Sequence, residues 1–214
     1  MSFPLALTSA LTGASPAQLH GWKRSGVLVP EGNADRPLLY SFRDLVALRA
    51  IVYLRAQTSN QRIVRAMHTL RHEYDLTDHP SQYTFATDGR SVEVLIGDEA
   101  LELVEGKGQR ALIPLTQVFR PFTNLQGKEV IDFEHPRPHL AVVPGRMGGW
   151  PTIEDTRVPY DVVADLVRDG DLTTDLLPAF YPTVSAEAAA DALSFDLQVR
   201  QSGGRPHEVP RRRE

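Results

Sequence analysis

The chain reads as an α+β protein, mainly helical, and three observations carry that reading. Apolar residues recur at three- and four-residue spacing through 42–54, 63–74, 162–167 and 188–195, the period of an amphipathic helix. Between 83 and 115 the period shortens to two, with turns at Asp88-Gly89, Gly97-Asp98 and Gly106-Lys107-Gly108; this is the pattern of a small antiparallel β meander. Serines stand before the helical runs at Ser15, Ser41, Ser59 and Ser185, where a hydroxyl can satisfy the free amides of a first turn.

At 214 residues the chain can hold one large domain or two small ones, each able to bury a core. It has no cysteine, which excludes disulfides, thiolate metal sites and thiol nucleophiles together. No run approaches the roughly 18 apolar residues that span a membrane, and no basic-then-apolar leader opens the sequence. A cytoplasmic location is expected. The net charge of -4 hides a polarity: nine basic residues face five acidic ones through Asp75, ten face twenty from Leu76 to Arg200, and four face two in the last fourteen. A basic head on an acidic body suits a head that meets phosphate, although so modest an excess also occurs as ordinary surface variation.

The first element is a short apolar helix broken at Gly13-Ala14. Ser15-Pro16 then opens a second helix, serine capping and proline occupying the first turn. Leu19 and Trp22 share the inward face of that helix, leaving Gln18, Lys23 and Arg24 to reach outward. Two helices across a glycine turn, the second polar and basic, form a helix-turn-helix. Val27-Val29 and Leu38-Tyr40 flank the loop Glu31–Pro37 and are expected to pair as a two-stranded wing. Ser41 and Asp44 make a capping box before a long helix carrying Phe42, Leu45, Leu48, Val52 and Leu54. Ser59 caps the next, which carries Ile63, Met67, Leu70 and Tyr74.

These residues carry a resemblance. Ser15, Gln18-Leu19, Trp22, Gly26-Val27-Leu28, Pro30, Tyr40-Ser41 and Asp44-Leu45 fall where MerR-like winged-helix domains place their serine, threonine-leucine, aromatic, glycine-leucine-leucine, proline, tyrosine and aspartate-leucine. His20-Gly21 stand where that family often has arginine-tyrosine. The resemblance implies DNA binding, with Gln18 and His20 nearest base edges and Lys23, Arg24, Arg36 and Arg43 on phosphates; Ser15 and Tyr40 complete the expected set. MerR activators continue into a long dimerising helix with an effector site, often cysteine-based. Nothing like that follows here, so metal or drug sensing is not implied.

After the meander, Val118, Phe119 and Phe122 provide a hydrophobic anchor. Val130–Phe133 adds a strand, and His135-Pro136-Arg137-Pro138-His139 is a stiff connector. His68 and His72, at i and i+4 with His79 nearby, could bind zinc, but no third ligand is placed, and a solvated helix flank is the simpler reading. Gly106-Lys107-Gly108 lacks the spacing of a phosphate loop.

The C-terminal third is a second unit: a turn at Gly148-Gly149, a strand at Thr152-Ile153, and a helix with Val162, Val163, Leu166 and Val167 that Gly170 ends. A short helix capped by Thr173 carries Leu176, Leu177 and Phe180. The last helix starts after Ser185 and carries Ala188, Ala192, Leu193 and Phe195. Three helices entered by a strand make a helix-turn-helix-like bundle. Gly149, Pro151, Ile153, Thr156-Arg157, Val158-Pro159, Gly170 and Tyr181-Pro182 resemble the domain-of-unknown-function family numbered 433, with Asp155 where that family usually has glycine. A MerR-like head joined to this unit is similar to one group of VapB-type antitoxins. The resemblance implies a repressor of its own operator that neutralises a PIN-type ribonuclease toxin, with Thr156, Arg157, Tyr181, Arg211, Arg212 and Arg213 as the expected toxin-binding set; because one winged-helix module buries too little surface for tight specific binding, a homodimer on an inverted repeat is expected.

The expected layout is 1–75 winged helix-turn-helix, 76–135 meander and connector, 136–200 C-terminal three-helix bundle, and 201–214 a basic tail of disordered composition. The tail is either an arm for an acidic surface or a solubilising terminus. Asp161, Asp165, Asp169 and Asp171 follow helical spacing as a solvated face, and no nucleophile with a base or paired carboxylates has a supporting motif. No enzyme, cofactor or metal is expected. The competing reading is a free-standing MerR-like regulator whose C-terminal half binds a ligand or another protein.

Overall fold

Strand β1 (Phe3–Pro4) leads into α1 (Leu5–Thr12), and α2 (Pro16–Arg24) follows across a tight turn. The computed structural model describes residues 2–75, 78–87, 92–96, 99–104, 111–112, 115–170 and 172–203. The loop after α2 returns through β2 (Leu39–Tyr40) into α3 (Phe42–Gln57) and α4 (Asn60–His72). Each expected serine cap is in place. Ser15 and Ser41 form full capping boxes with Gln18 and Asp44, and Ser59 and Ser185 accept from Arg62 N and Ala188 N.

The wing departs from expectation. Val27–Val29 is not a strand; β2 pairs antiparallel with β1 instead, Phe3 opposite Tyr40. The reason lies in where the backbone groups of 26–28 go. Arg71 of α4 donates to the carbonyls of Gly26 and Val27, and Leu28 N bonds Trp22 O at 3.4 Å. With those groups satisfied and Val27 and Leu28 buried, the segment has no ladder to offer. The loop closes on itself through Asn33 N to Leu39 O at 2.8 Å and Leu39 N to Asn33 O at 3.0 Å. Tyr74, expected on the apolar face of α4, lies beyond the end of that helix and is exposed.

The middle segment is a four-stranded antiparallel sheet. It comprises β3 (Thr84–Thr87), β4 (Val92–Ile96), β5 (Glu99–Val104) and β6 (Ala111–Leu112), in the order β5-β4-β3-β6. Three strands form the expected meander, and the fourth returns to the open edge of β3. Leu115–Phe119, read partly as strand, is the helix α5. The hairpin β7 (Phe122–Thr123) and β8 (Glu129–Val130) turns through Asn124, whose side chain accepts from Gln126 N and Lys128 N. The sheet packs on α4. The expected turns at Asp88-Gly89, Gly97-Asp98 and Gly106–Gly108 lie outside the described residues.

In the C-terminal third, β9 (Leu140–Ala141) pairs with β10 (Thr152–Ile153), followed by α6 (Tyr160–Arg168), α7 (Leu177–Phe180) and α8 (Ala186–Ser202). Asp155 has φ 55, the left-handed conformation that makes glycine the easy residue there. The connector is pinned rather than free: His139 N and Nδ1 both contact Asp191 of α8, at 3.0 and 2.8 Å, and Arg137 bonds Ser194 and Gln198. Of the acidic residues expected as a solvated face, Asp161 accepts from Trp150 Nε1 at 3.1 Å and Asp165 pairs with Arg168. Arg168 also reaches the buried Asp196 of α8 at 2.8 Å. Only Leu177 of the short helix is buried; Leu176 and Phe180 are 55% and 66% exposed.

The head and the C-terminal unit share a core. α1 packs along α8, and a run of aromatic rings crosses all three segments. Trp150 stacks on Phe3 at 5.6 Å, Phe3 meets Phe42 at 6.3 Å, Phe42 meets Phe133 at 5.9 Å, and Phe133 stacks on Phe119 at 5.1 Å. Gly149 lies so close to the Phe42 ring that a Cβ would overlap it. Beside this run Arg49 of α3 is fully buried. Its guanidinium donates to Leu11 O (2.9 Å), Val118 O (2.7 Å), Phe119 O (3.3 Å), Arg120 O (2.9 Å) and Ile131 O (2.6 Å), and it lies 4.9 Å from the Phe122 ring centroid. Burial pulls its pKa down to about 10, against a smaller opposing pull from Asp132. One side chain thereby joins α1, α3, α5 and the residue after β8.

Candidate nucleic-acid interface

The turn between α1 and α2 sets the pose of α2. Gly13 has φ 77, and a Cβ on it would lie 2.6 Å from Val130, so both the conformation and the packing of β8 demand glycine. The Ser15 hydroxyl accepts from Gln18 N at 3.2 Å and Ser15 N donates to Gln18 Oε1 at 2.8 Å. Leu19 and Trp22 are buried as their spacing requires, and Trp22 Nε1 donates to Asn60 Oδ1 at 2.9 Å, fixing the helix to the start of α4. The outward face is left to Ala17, His20, Gly21 and Arg24. A Cβ on Gly21 would meet nothing within 4 Å.

Four residues of the expected set share one groove between α2 and the loop 31–38. His20, Lys23, Arg24 and Arg36 line it with Ala17, Asp35 and Leu38. Lys23 donates to Ala34 O and thereby holds the loop against the helix. His20, Arg24 and Arg36 are exposed, and among the described residues the two arginines make no ion pair. Two guanidiniums, an imidazole and an ammonium along one rim can meet a phosphate backbone while the helix between them enters a groove.

The rest of the set is placed differently. Ser15 and Gln18 stand at the other end of α2, and the amide of Gln18 is held in the capping box. Arg43 is exposed but paired with Glu31, whose carboxyl also accepts from Ser41 Oγ at 2.7 Å. That Ser41 bond first, then Arg43, lowers the Glu31 pKa in spite of an opposing burial effect. Tyr40 is only 1% exposed and its hydroxyl has no partner among the described residues; burial first, and Asp44 second, push its pKa up to about 12. Its position is in the core and not on the outward face of α2.

Sequence reasoning missed three groups that frame this face. Arg71 and Asn60 anchor α2 and the segment after it from α4. Lys128 and Gln126 of the β7–β8 hairpin, with Gln198 and Gln201 of α8, border a cleft of about 390 Å³ at the N-terminus of α2. Local periodicity carries no signal for such long-range neighbours. Asp44 is a third case. It is buried, accepts from Ser41 N and Glu31 N, and meets His79 Nε2 at 3.0 Å. The spacing of Ser41 and Asp44 reveals the cap but not the histidine.

Residues 5–70 match the family model for MerR HTH family regulatory proteins. The chain carries a MerR-type helix-turn-helix, a module of DNA-binding regulators. The MerR-type segment ends within α4, before the sheet. A second stretch, residues 141–195, matches a family described as a protein of unknown function, DUF433. No curated protein and no solved structure matches the chain. Among the described residues no helix is long and apolar enough to cross a membrane.

The C-terminal set is scattered over the DUF433-type stretch. Thr156 is held by its own turn, donating to Ile153 O at 2.9 Å and accepting from Val158 N at 3.0 Å. Arg157 is exposed and Tyr181 half-buried at the end of α7. Arg211, Arg212 and Arg213 lie outside the described residues.

Proposed function

We propose that this protein is a DNA-binding repressor of the antitoxin kind, placing α2 in the major groove of its own operator and holding a PIN-like ribonuclease toxin through its C-terminal unit. The observation that carries the reading is the groove along α2. His20, Lys23, Arg24 and Arg36 line one rim within a MerR-type segment, and Leu19, Trp22 and the Asn60 bond fix the helix behind them. His20 is nearest the base edges; Arg24 and Arg36 hold phosphates, and Arg43 joins them by exchanging Glu31 for the DNA backbone. A single module of this size buries too little surface for tight specific binding, so the repressor acts as a homodimer on an inverted repeat.

The toxin half of the reading rests on the pairing of a MerR-type head with a DUF433-type unit, the combination that resembles VapB-type antitoxins. Leu176 and Phe180 supply exposed apolar anchors near Tyr181. The test has two arms. Binding to a duplex from upstream of the protein's own gene should weaken and lose about one unit of salt slope for each of Arg24→Ala and Arg36→Ala; unchanged affinity at moderate salt rejects the DNA assignment. Co-purification with a PIN-like protein encoded beside it, lost in Phe180→Ala, supports the antitoxin role. DNA binding without any such partner leaves a free-standing regulator.

A further inference from the structure

The cleft of about 390 Å³ between the α1–α2 turn, the β7–β8 hairpin and the last turns of α8 is lined by amides whose oxygens are already engaged. Gln18 Oε1 accepts from Ser15 N at 2.8 Å. Asn124 Oδ1 accepts from Gln126 N and Lys128 N, each at 3.0 Å. Gln198 Oε1 accepts from the Arg137 guanidinium at 2.7 Å. Each of those partners is an N–H, so the accepting atom is oxygen every time and the orientation of the amide follows. What remains of the three side chains is an NH2 group apiece, without a partner among the described residues. All three residues are half-buried.

Lys128 adds the charge. Asn124 N donates to Lys128 O at 2.9 Å, which continues by one step the pairing of Phe122 with Val130 and Thr123 with Glu129. Side chains alternate along such a pair. Lys128 therefore shares the face of Val130, whose side chain lies against Gly13 of the turn. Glu129, the only acid bordering the cleft among the described residues, takes the opposite face. Lys128 is exposed and makes no ion pair among the described residues. Beneath these donors Ala10, Ala14 and Val130 are buried and give the cleft an apolar floor. We propose that this cleft binds a small organic acid, its carboxylate or phosphate group held by Lys128 and the three amide NH2 groups and its carbon body laid on the floor.

The size suits that class. Small-molecule sites run from about 300 to 1,000 Å³, and an inorganic anion would fill only a fraction of this one. Hydrogen bonds to an ionised group are about twice as strong as neutral ones, so a ring of donors selects an anion over an alcohol of the same shape. A DNA phosphate offers the same oxyanion chemistry, but the geometry favours the small acid. A duplex approaching α2 meets Ala17, His20, Gly21 and Arg24 on its outward face. Gln18 lies about 100° round the helix from Ala17, on the flank that α8 closes with Gln198 and Gln201. Such a site holds or fails independently of the DNA-binding and antitoxin readings.

The probe is phenyl phosphate, an oxyanion on a small carbon body, with inorganic phosphate and benzyl alcohol as its two halves. Calorimetric titration of the full chain should show saturable binding of phenyl phosphate, at least about tenfold tighter than either half. Lys128→Gln removes the cation, and Gln201→Glu sets a carboxylate at the rim; both positions are exposed. Each variant should bind the probe about tenfold or more weakly, the effect of one hydrogen bond to a charged group, with the melting temperature unchanged. Absence of saturable binding by the parent, or binding that is unchanged in either variant, overturns the site. A second arm separates the two sources of oxyanion, using a duplex from upstream of the protein's own gene. A salt slope of duplex binding that Lys128→Gln leaves as it was supports the small acid. A slope made shallower by about one unit seats a DNA phosphate on Lys128 and overturns that occupant.

Discussion

Replacing Arg49 with methionine tests the central joint of the molecule. The guanidinium donates to five main-chain carbonyls drawn from α1, α5 and the residues around β8. Hydrogen bonds to a charged group contribute about 1.5–3 kcal/mol each, so the five together are worth roughly 7–15 kcal/mol before desolvation. Burial lowers the Arg49 pKa to about 10, a penalty of roughly 3 kcal/mol at about 1.4 kcal/mol per unit, which methionine recovers. Partial rehydration of the outer carbonyls softens the loss further. The expected net destabilisation is about 3–5 kcal/mol, the range seen when one side of a buried polar cluster is removed. In urea unfolding this appears as a lower midpoint with unchanged slope, and in thermal melts as a drop on the order of 10 °C. Arg49→Lys should be no better than methionine, since an ammonium keeps the burial penalty but has three donors on one atom and cannot span five acceptors. A methionine variant within about 1 kcal/mol of the parent, or a lysine variant equal to it, would refute this account.

Other outcomes follow from single positions. Tyr40→Phe removes a buried hydroxyl that has no partner among the described residues, so stability should be unchanged or rise by up to about 1 kcal/mol, and DNA affinity should not move; a loss of affinity would place Tyr40 on the duplex. Gly21→Ala fills open space on α2 and should stabilise by about 0.5–1 kcal/mol, read as a higher melting temperature; destabilisation would mean that something crowds that face. Asp44→Asn keeps one acceptor for the cap but weakens the contacts to Ser41 N, Glu31 N and His79, and should cost about 1–2 kcal/mol; an unfolding curve superimposable on the parent would show the cluster to be idle. Light scattering of the protein with its operator duplex should give two chains per inverted repeat, and a single chain at every concentration would remove the dimer.

What could be read from the sequence was local. The caps at Ser15, Ser41, Ser59 and Ser185 and the burial of Leu19 and Trp22 depend on neighbours within one or two helical turns, and they stand where the spacing put them. The strand partner of Leu39–Tyr40 was not local. Val27–Val29 is nearer in sequence, but Arg71, over forty residues on, occupies the carbonyls of Gly26 and Val27, and Phe3–Pro4 takes the edge. Charge was misleading in the same way. Nine cations in the head suggest a generous phosphate surface, yet Arg49 is buried, Arg71 and Lys23 donate to carbonyls, and Arg43 is paired with Glu31. Along the groove of α2 the exposed residues of the expected set are fewer: Arg24 and Arg36, with His20 beside them. Leu176 and Phe180 show the opposite error: apolar residues at helical spacing belong to a core only where a second surface covers them, and a four-residue helix presents too little face for that.

The ring contacts from Trp150 through Phe3, Phe42 and Phe133 to Phe119 tie the head and the C-terminal unit into one shared core. Neither half can open without exposing aromatic surface that the other half covers. Anything that grips the C-terminal unit therefore also protects α2, by mass action on a common folded state, with no displacement of a single atom on that helix. The converse applies to a protease. Once it begins on the C-terminal bundle, α2 loses its support in the same event, and whatever each half holds is given up together.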